Sequence, residues 1–560
     1  MAKFNKSIYP LLLALLFLTN SIAGAQVSQQ ELENKVDAIY LKASDASTPG
    51  SAVLVVKDGE IVLNKGYGLA NLEHEVPVTP HTVFDLASLS KQFTGYAIAL
   101  LIEQGKISAD DDIRKYIPEL ADFGHTIKIS HLVHHTSGIR DWTSTLPLAG
   151  WSFDDVISFD QILRMAYAQN TLNFVPGSEY TYSNTGYNLL AELIQRVTGS
   201  SFADWMDKNI FKPLEMTSTF FLDDHTEVIP ERASGYRKDS QGQFHVSPNN
   251  LTALGSSSMY STTTDLAKWV MHLSNPGEEK KPVVDRMYQQ GVLNNGKTIS
   301  YAYGITVGTF RNTKWIAHSG GWASFSTYLV LLPEYNTSVV VLNNNPRSAY
   351  EIAREIASLY VPKPSEEGDR QERPATQEKE IAAEVLEDYT GMYHLGTVKY
   401  LNITLEGRQL WVQATDEAKY PMTAVSDSVF TVEGYGGRAI TFRRDQSAKV
   451  THLEYNKITA PKMNEHSAFS LNKAKDYLGE YYSDELNTTY TVISEGGKLM
   501  FRHFRHGDIN LKPVWNDDFL AGRWFIRSVE FKRDENGEVA AFYITTTRAK
   551  KQRFVKLHKE

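Results

Sequence analysis

Ser88-Leu89-Ser90-Lys91 opens a stretch, residues 88–104, in which Phe93, Ala97, Leu100 and Leu101 recur at helical spacing. The periodicity predicts a helix with one apolar face. Ser88 and Lys91 stand three residues apart, about one turn, and so share a face of it. A hydroxyl is a weak nucleophile, and a lysine one turn away can take its proton or steady the alkoxide. The start of a helix also favours negative charge as it develops. A serine there has a plainer use as a helix N-cap, so the tetrapeptide gains meaning only from what surrounds it.

Upstream, residues 52–68 read as a β-hairpin. Val53 and Val55 precede Lys57-Asp58-Gly59, Ile61 and Leu63 follow it, and Asp-Gly is a strong hairpin turn. Downstream, residues 185–197 read as a second helix. Residues 325–332 and 338–342 are apolar runs joined by Pro333-Glu334-Tyr335-Asn336, and residues 350–361 read as a closing helix. Early strands, central helices, then late strands and a helix predict an α/β (α+β) domain, an antiparallel sheet flanked by helices.

The chain has 560 residues, 42% hydrophobic and 22% charged, with a net charge of −9. This is globular usage, and it gives no electrostatic case for nucleic acid. Cysteine is absent, which excludes disulfides, a thiolate nucleophile and Cys-ligated zinc. Lys3 and Lys6, the short apolar run over 11–18, and Ala23-Gly24-Ala25 predict a secretory signal peptide over 1–25. The expected destination is the periplasm or the exterior, with no stable membrane insertion after cleavage. The expected catalytic domain is 26–361. Residues 362–380, with Pro362, Pro364 and Pro374 among Glu, Lys, Gln and Arg, read as a linker.

After the linker the chain repeats itself. Asp388-Tyr389-Thr390-Gly391-Met392-Tyr393 recurs as Asp476-Tyr477-Leu478-Gly479-Glu480-Tyr481. Glu406-Gly407 recurs at Glu495-Gly496, and Phe442-Arg443-Arg444-Asp445 at Phe531-Lys532-Arg533-Asp534, in the same order. Short alternating runs in each copy predict two small all-β, barrel-like units over 381–465 and 466–560.

Two further clusters carry chemistry. Tyr182-Ser183-Asn184 precedes the second helix. A phenol is a poor base at its ordinary pKa near ~10, but a neighbouring ammonium is expected to lower it enough to shuttle a proton. Asn184 offers donor and acceptor to a substrate amide. His318-Ser319-Gly320-Gly321 enters a late strand; its glycines let a substrate backbone approach, and the Gly321 N–H can pair with that of Ser88 around an oxyanion. Each motif alone is weak. Ser470-Leu471-Asn472-Lys473, Tyr400-Leu401-Asn402 and His394-Leu395-Gly396 repeat all three inside the β units, in the wrong order. The first set differs because Ser, Tyr and His follow in order within one domain.

Ser88-x-x-Lys91, Tyr182-x-Asn184 and His318-x-Gly320, with the stretch His131-Leu132-Val133-His134-His135-Thr136-Ser137-Gly138, resemble the penicillin-recognising serine hydrolases on the class C β-lactamase side. The resemblance covers roughly residues 30–361. It implies Ser88 as nucleophile, Lys91 and Tyr182 as the proton-transfer pair, Asn184 as a substrate contact, and an acyl-enzyme resolved by water. It implies no cofactor and no metal. Many relatives carry Lys-Thr-Gly where His318-Ser319-Gly320 stands, so carboxylate recognition is expected to weaken unless Arg or Lys elsewhere supplies it. His-x-Gly is similar to what D-stereospecific aminopeptidases and some esterases of the family show, and the two C-terminal β units resemble the architecture of those aminopeptidases.

His131, His134 and His135 have spacing that zinc ligands also use, but Thr136-Ser137-Gly138 ends the helix at once, and a structural role is the expectation. Arg502-His503-Phe504-Arg505-His506, basic and aromatic, is the candidate for a loop from a β unit to the active-site mouth. The expected activity is amide hydrolysis, with D-amino-acid peptides as substrates. An esterase or weak class C-type β-lactamase, and a non-hydrolysing sensor of peptidoglycan fragments, are the alternatives. The expected partner is a small peptide, ester or lactam; the sequence leaves the oligomeric state open.

Overall fold

The structure is a computed structural model that describes residues 28–41, 47–363, 381–396, 399–415, 417–456, 458–463, 474–515 and 517–557. The expected signal peptide, residues 364–380 of the expected linker and the second Ser-x-x-Lys lie outside the described residues.

Six strands make the central sheet: β1 (Ser51–Lys57), β2 (Glu60–Tyr67), β3 (Thr306–Phe310), β4 (Thr313–Trp322), β5 (Phe325–Leu332) and β6 (Thr337–Asn343). Their order is β3-β4-β5-β6-β1-β2 and every pairing is antiparallel. The predicted hairpin is β1–β2, turned by Asp58 and Gly59, both at positive φ. The chain returns late to insert β6 beside β1, so the predicted hairpin and the two late apolar runs form one sheet. Helices cover both faces. Val53 and Val55 of β1 pack with Leu32 and Val36 of α1 (Gln29–Leu41), while Leu54 and Val56 face the main core. The strand is therefore buried on both sides, which explains its unbroken apolar run.

The main core centres on α2 (Ser90–Glu103). The predicted apolar residues lie in it, but the helix has no wet face: Ser90 through Leu101 are all buried. Two further helices frame the site, α3 (Trp142–Leu148) and α4 (Asn184–Thr198), and α5 (Ala349–Ala357) lies on the other side of the sheet. α5 closes the outer face with Ile352 and Ile356. No helix among the described residues is long and apolar enough to cross a membrane.

The two β copies share a core contact. The Tyr393 hydroxyl donates to the Tyr389 carbonyl at 2.8 Å, and the Tyr481 hydroxyl donates to the Tyr477 carbonyl at the same distance. Their closure differs. The second copy is a closed eight-stranded barrel over 479–556. The first divides into a four-stranded sheet over 391–421 and a five-stranded sheet over 423–461. Where the barrel has one nine-residue strand, Gly507–Trp515, the first copy has Lys419–Pro421 and Thr423–Ala424, and the wall parts at Met422.

The barrel is seated on the catalytic domain. Leu148, from α3, belongs to the barrel's own hydrophobic core, and the Tyr490 hydroxyl donates to its carbonyl at 3.0 Å. Arg140 and Glu485 form an ion pair at 2.8 Å across the junction, with side chains 3% and 5% exposed.

Candidate active site

Ser88 sits on a single 3-10 turn, Ala87–Leu89, just before α2. Ala87 holds φ +49°, a left-handed conformation that costs a non-glycine residue about 1–2 kcal/mol. It persists because its neighbours fix it: the Ala87 N–H donates to buried Asp85 at 2.7 Å, and the Thr327 hydroxyl donates to the Leu86 carbonyl at 2.9 Å. Ser88 is thereby presented at the floor of a cavity of about 680 Å³. Tyr182, Asn184, His318 and Gly321 line the same cavity.

Lys91 lies 3.2 Å from the Ser88 Oγ, one helical turn away as the spacing requires. Its Nζ also donates to the Asn184 Oδ1 at 2.7 Å and to the Ser256 carbonyl at 2.6 Å. Burial holds the ammonium well below the ordinary amine range; Asp141 opposes that shift and Arg548 adds to it. A neutral amine has two N–H groups and one lone pair. With two carbonyl-type acceptors taking its N–H groups, such an amine would turn its lone pair toward the Ser88 hydroxyl.

Tyr182 departs from expectation. Burial pushes its phenol upward, and the hydrogen bond with Ser88 and the charge of Arg548 only partly offset this. Lys91 stands 4.9 Å from the ring centre, but burial weakens the ammonium that was expected to depress the phenol. The phenol is therefore held in its protonated form beside Ser88.

Asn184 also differs from a free substrate contact. Its Oδ1 faces Lys91, and its Nδ2 donates to both carboxylate oxygens of Asp141 at 3.1 Å. The amide positions the lysine. His318 is buried on β4. Its Nδ1 faces the Ser319 carbonyl at 2.7 Å and must carry the proton, so its Nε2 accepts from the Tyr301 hydroxyl at 2.9 Å. Burial and the nearby Lys91 lower its pKa to about 3, so the ring is neutral at any ordinary pH. Gly320 does not line the cavity. A Cβ there would stand 2.3 Å from the Leu86 carbonyl oxygen and 2.2 Å from the Thr327 Oγ1, so glycine lets β4 lie directly against the turn that carries Ser88.

The three early histidines go to three separate places. His131 accepts from the Lys128 N–H, His134 packs on Tyr303, and His135 accepts from the Ser183 N–H. Among the described residues no cluster of three or more His, Asp or Glu side chains could hold a metal.

Four side chains complete the site unannounced. Asp141 is fully buried and takes hydrogen bonds from Asn184, Thr143 and Arg548. Tyr301 orients His318. Trp524 and Arg548 come from the barrel and line the cavity. Trp524 continues an aromatic wall of Trp142, Phe153 and Trp322. A barrel segment thus reaches the mouth, but not over 502–506. There His506 meets the Pro147 carbonyl, Arg505 pairs with Asp155, and the segment clamps α3 and the loop beyond it. Asp141 follows shortly after Thr136-Ser137-Gly138, and its place in the chain was a usable signal. Arg548, 407 residues from its partner, left none.

A family model described as Beta-lactamase matches residues 30–360. The chain is 28% identical over 398 residues to Penicillin-binding protein 4* of Bacillus subtilis, covering 68% of this chain and 86% of that protein. It is 28% identical over 326 residues to a D-aminopeptidase of Gluconobacter oxydans, covering 58% and 61%. The octameric penicillin-binding protein homologue from Pyrococcus abyssi superposes with a TM-score of 0.54 at 22% identity, covering 85% of this chain and 98% of that one. The fold, the order of the three motifs and a match over most of the catalytic domain agree, and the chain belongs to the beta-lactamase family of penicillin-recognising serine hydrolases.

Proposed function

We propose that the protein is an exported serine hydrolase that cleaves an amide bond in D-amino-acid-containing peptides through an acyl-Ser88 intermediate. The observation that carries this reading is the Lys91 amine, held by two carbonyl acceptors with its remaining position toward Ser88. In acylation the Ser88 proton passes to the Lys91 Nζ while Oγ attacks the substrate carbonyl carbon. The N–H groups of Ser88 and Gly321 would receive the oxyanion. Collapse breaks the C–N bond, the leaving nitrogen takes a proton from the Tyr182 hydroxyl, and Lys91 returns its proton to Tyr182. Water then repeats the sequence on the ester and frees Ser88.

Among the described residues no carboxylate lines the cavity, and Arg548 is the only lining side chain with a formal charge. Arg548 is already paired with Asp141, so neither a substrate carboxylate nor a substrate amine meets an unpaired counter-charge from these two side chains, and both a D-Ala-D-Ala-like terminus and an aminopeptidase substrate need assay. The test compares an N-acylated D-Ala-D-Ala peptide with a D-alanyl anilide, using the wild type and Ser88→Ala. Cleavage of the first that disappears in Ser88→Ala supports the reading, and undiminished cleavage in Ser88→Ala overturns it. The aromatic wall also suits an aryl ester, and faster Ser88-dependent turnover of esters than of either peptide would favour an esterase.

A further inference from the structure

The barrel's Arg548 is joined to the Ser88–Lys91 pair by a continuous line of hydrogen bonds. Its Nη1 donates to the Asp141 Oδ2 at 2.8 Å. Asp141 Oδ1 receives both the backbone N–H and the side-chain Nδ2 of Asn184, each at 3.1 Å. Asn184 Oδ1 receives Lys91, and Lys91 faces Ser88. The backbone reinforces the link, since the Asp141 N–H donates to the Arg548 carbonyl at 3.3 Å and the Asn173 side chain donates to it at 3.0 Å.

The charges along this line have a definite logic. Asp141 is the carboxylate turned toward Lys91. The other groups around the lysine are the rings of Tyr182 at 4.9 Å and Tyr187 at 5.8 Å, and the imidazoles of His135 and His318. Both imidazoles are held neutral by burial, and both phenols are pushed up. Arg548 itself faces Asp141, Tyr180 and Tyr182, with its guanidinium 4.8 Å from the Tyr182 ring centre. So one full negative charge near the lysine is balanced by one positive charge, and that charge comes from the barrel.

We propose that Arg548 is a positioning residue for the candidate nucleophile: by balancing Asp141 and fixing the Asn184 amide, it keeps Lys91 free to take the Ser88 proton. On this view the second β unit is part of the catalytic apparatus as well as a substrate-limiting wall. Without Arg548, the unbalanced Asp141 carboxylate draws a proton onto Lys91. Removing one of two balancing charges beside a buried group moves its titration by about one to two pH units. The inference rests on the acyl-Ser88 reading above.

The experiment measures kcat/KM against pH for p-nitrophenyl butyrate, an uncharged substrate that needs no cationic contact. It compares wild type, Arg548→Met, Arg548→Lys, Asp141→Asn and the Asp141→Asn/Arg548→Met double variant, with thermal unfolding of each. In Arg548→Met the acid limb is expected to move to higher pH, a roughly 10- to 100-fold loss on the acid side that recovers in alkali. Arg548→Lys is expected to retain most of the wild-type profile. The double variant, which removes both charges, is expected to bring the limb back. Asp141→Asn alone is expected to move the limb to lower pH, and the step from it to the double variant reads the Arg548 charge without an unbalanced carboxylate, which decides the matter if Arg548→Met does not fold. An Arg548→Met loss equal at every pH, or an Asp141→Asn profile with an unmoved limb, overturns the proposal. Ser88→Ala separates the two levels: ester hydrolysis that survives it overturns the acyl-serine reading, whereas a Ser88-dependent enzyme with an unmoved limb overturns only the role of Arg548.

Discussion

The guanidinium of Arg140 and the carboxylate of Glu485 meet 2.8 Å apart with almost no access to water, and they belong to different folding units. Burial raises the Glu485 pKa and lowers that of Arg140, each against the attraction of the other. The pair is thus costly to bury, and its loss on one side only is costlier. Glu485→Ala leaves Arg140 buried without its counter-charge and is expected to destabilise the protein by about 3–5 kcal/mol. Chemical unfolding followed by tryptophan fluorescence checks this; a change below about 1 kcal/mol would show that water reaches the junction.

Acid should weaken the fold before it ionises the site. Burial lowers His134 to about 4 and His131 to about 4, against a free value of 6.5. On acidification the unfolded chain takes these protons first, so the stabilisation is complete above pH 6.5 and is lost as pH falls toward 4. His134 contributes up to roughly 3 kcal/mol, and His131, more open to water, contributes less because solvent screens it. Denaturant midpoints are expected to fall over that window, and His134→Phe is expected to make the fall shallower. An identical slope in that variant would mean that His134 titrates alike folded and unfolded.

Tyr182→Phe removes a proton donor and keeps the ring. The expected result is a fall in kcat of about 10²–10⁴ with KM little changed. If KM alone rises, Tyr182 binds substrate and another group carries the proton.

Gly320 and Gly321 are adjacent but are expected to respond in opposite ways. Alanine at 320 forces β4 away from the turn that carries Ser88, since the new Cβ meets backbone at 2.3 Å. Both stability, by about 1–3 kcal/mol, and activity are expected to drop. Alanine at 321 meets nothing nearer than the Phe325 carbonyl oxygen at 4.0 Å, so the fold should be unaffected. Melting temperatures of the two variants distinguish these cases.

The sequence made local units legible and long-range ones less so. The Asp58-Gly59 turn, the Ser88–Lys91 spacing and the repeat at Tyr389 and Tyr477 depend on neighbours in the chain, and they stand as read. The all-round burial of α2 did not show in its apolar spacing, because Ser90, Gln92 and Thr94 are enclosed by other elements. Lys91 and Tyr182 were placed together correctly, but the expected direction of the tyrosine's shift was wrong; composition does not reveal that both groups lose their water. Arg502 to His506 looked like a loop for the active site because it is basic and aromatic. Arg505 and His506 serve the junction, Arg502 pairs with Asp508 within the barrel and Phe504 is exposed, and of the two barrel segments that reach the cavity Thr547-Arg548 has no such signature.

The insertion of Leu148 into the barrel and the reach of Arg548 to Asp141 also set an order of events. Ser88, Lys91 and Tyr182 stand early in the chain, while the partner of Asp141 stands 407 residues after it. Until the barrel docks, α3 has an uncovered leucine and the cavity lacks one wall. An undocked chain therefore has an unfinished site, and the docking of this β unit completes it.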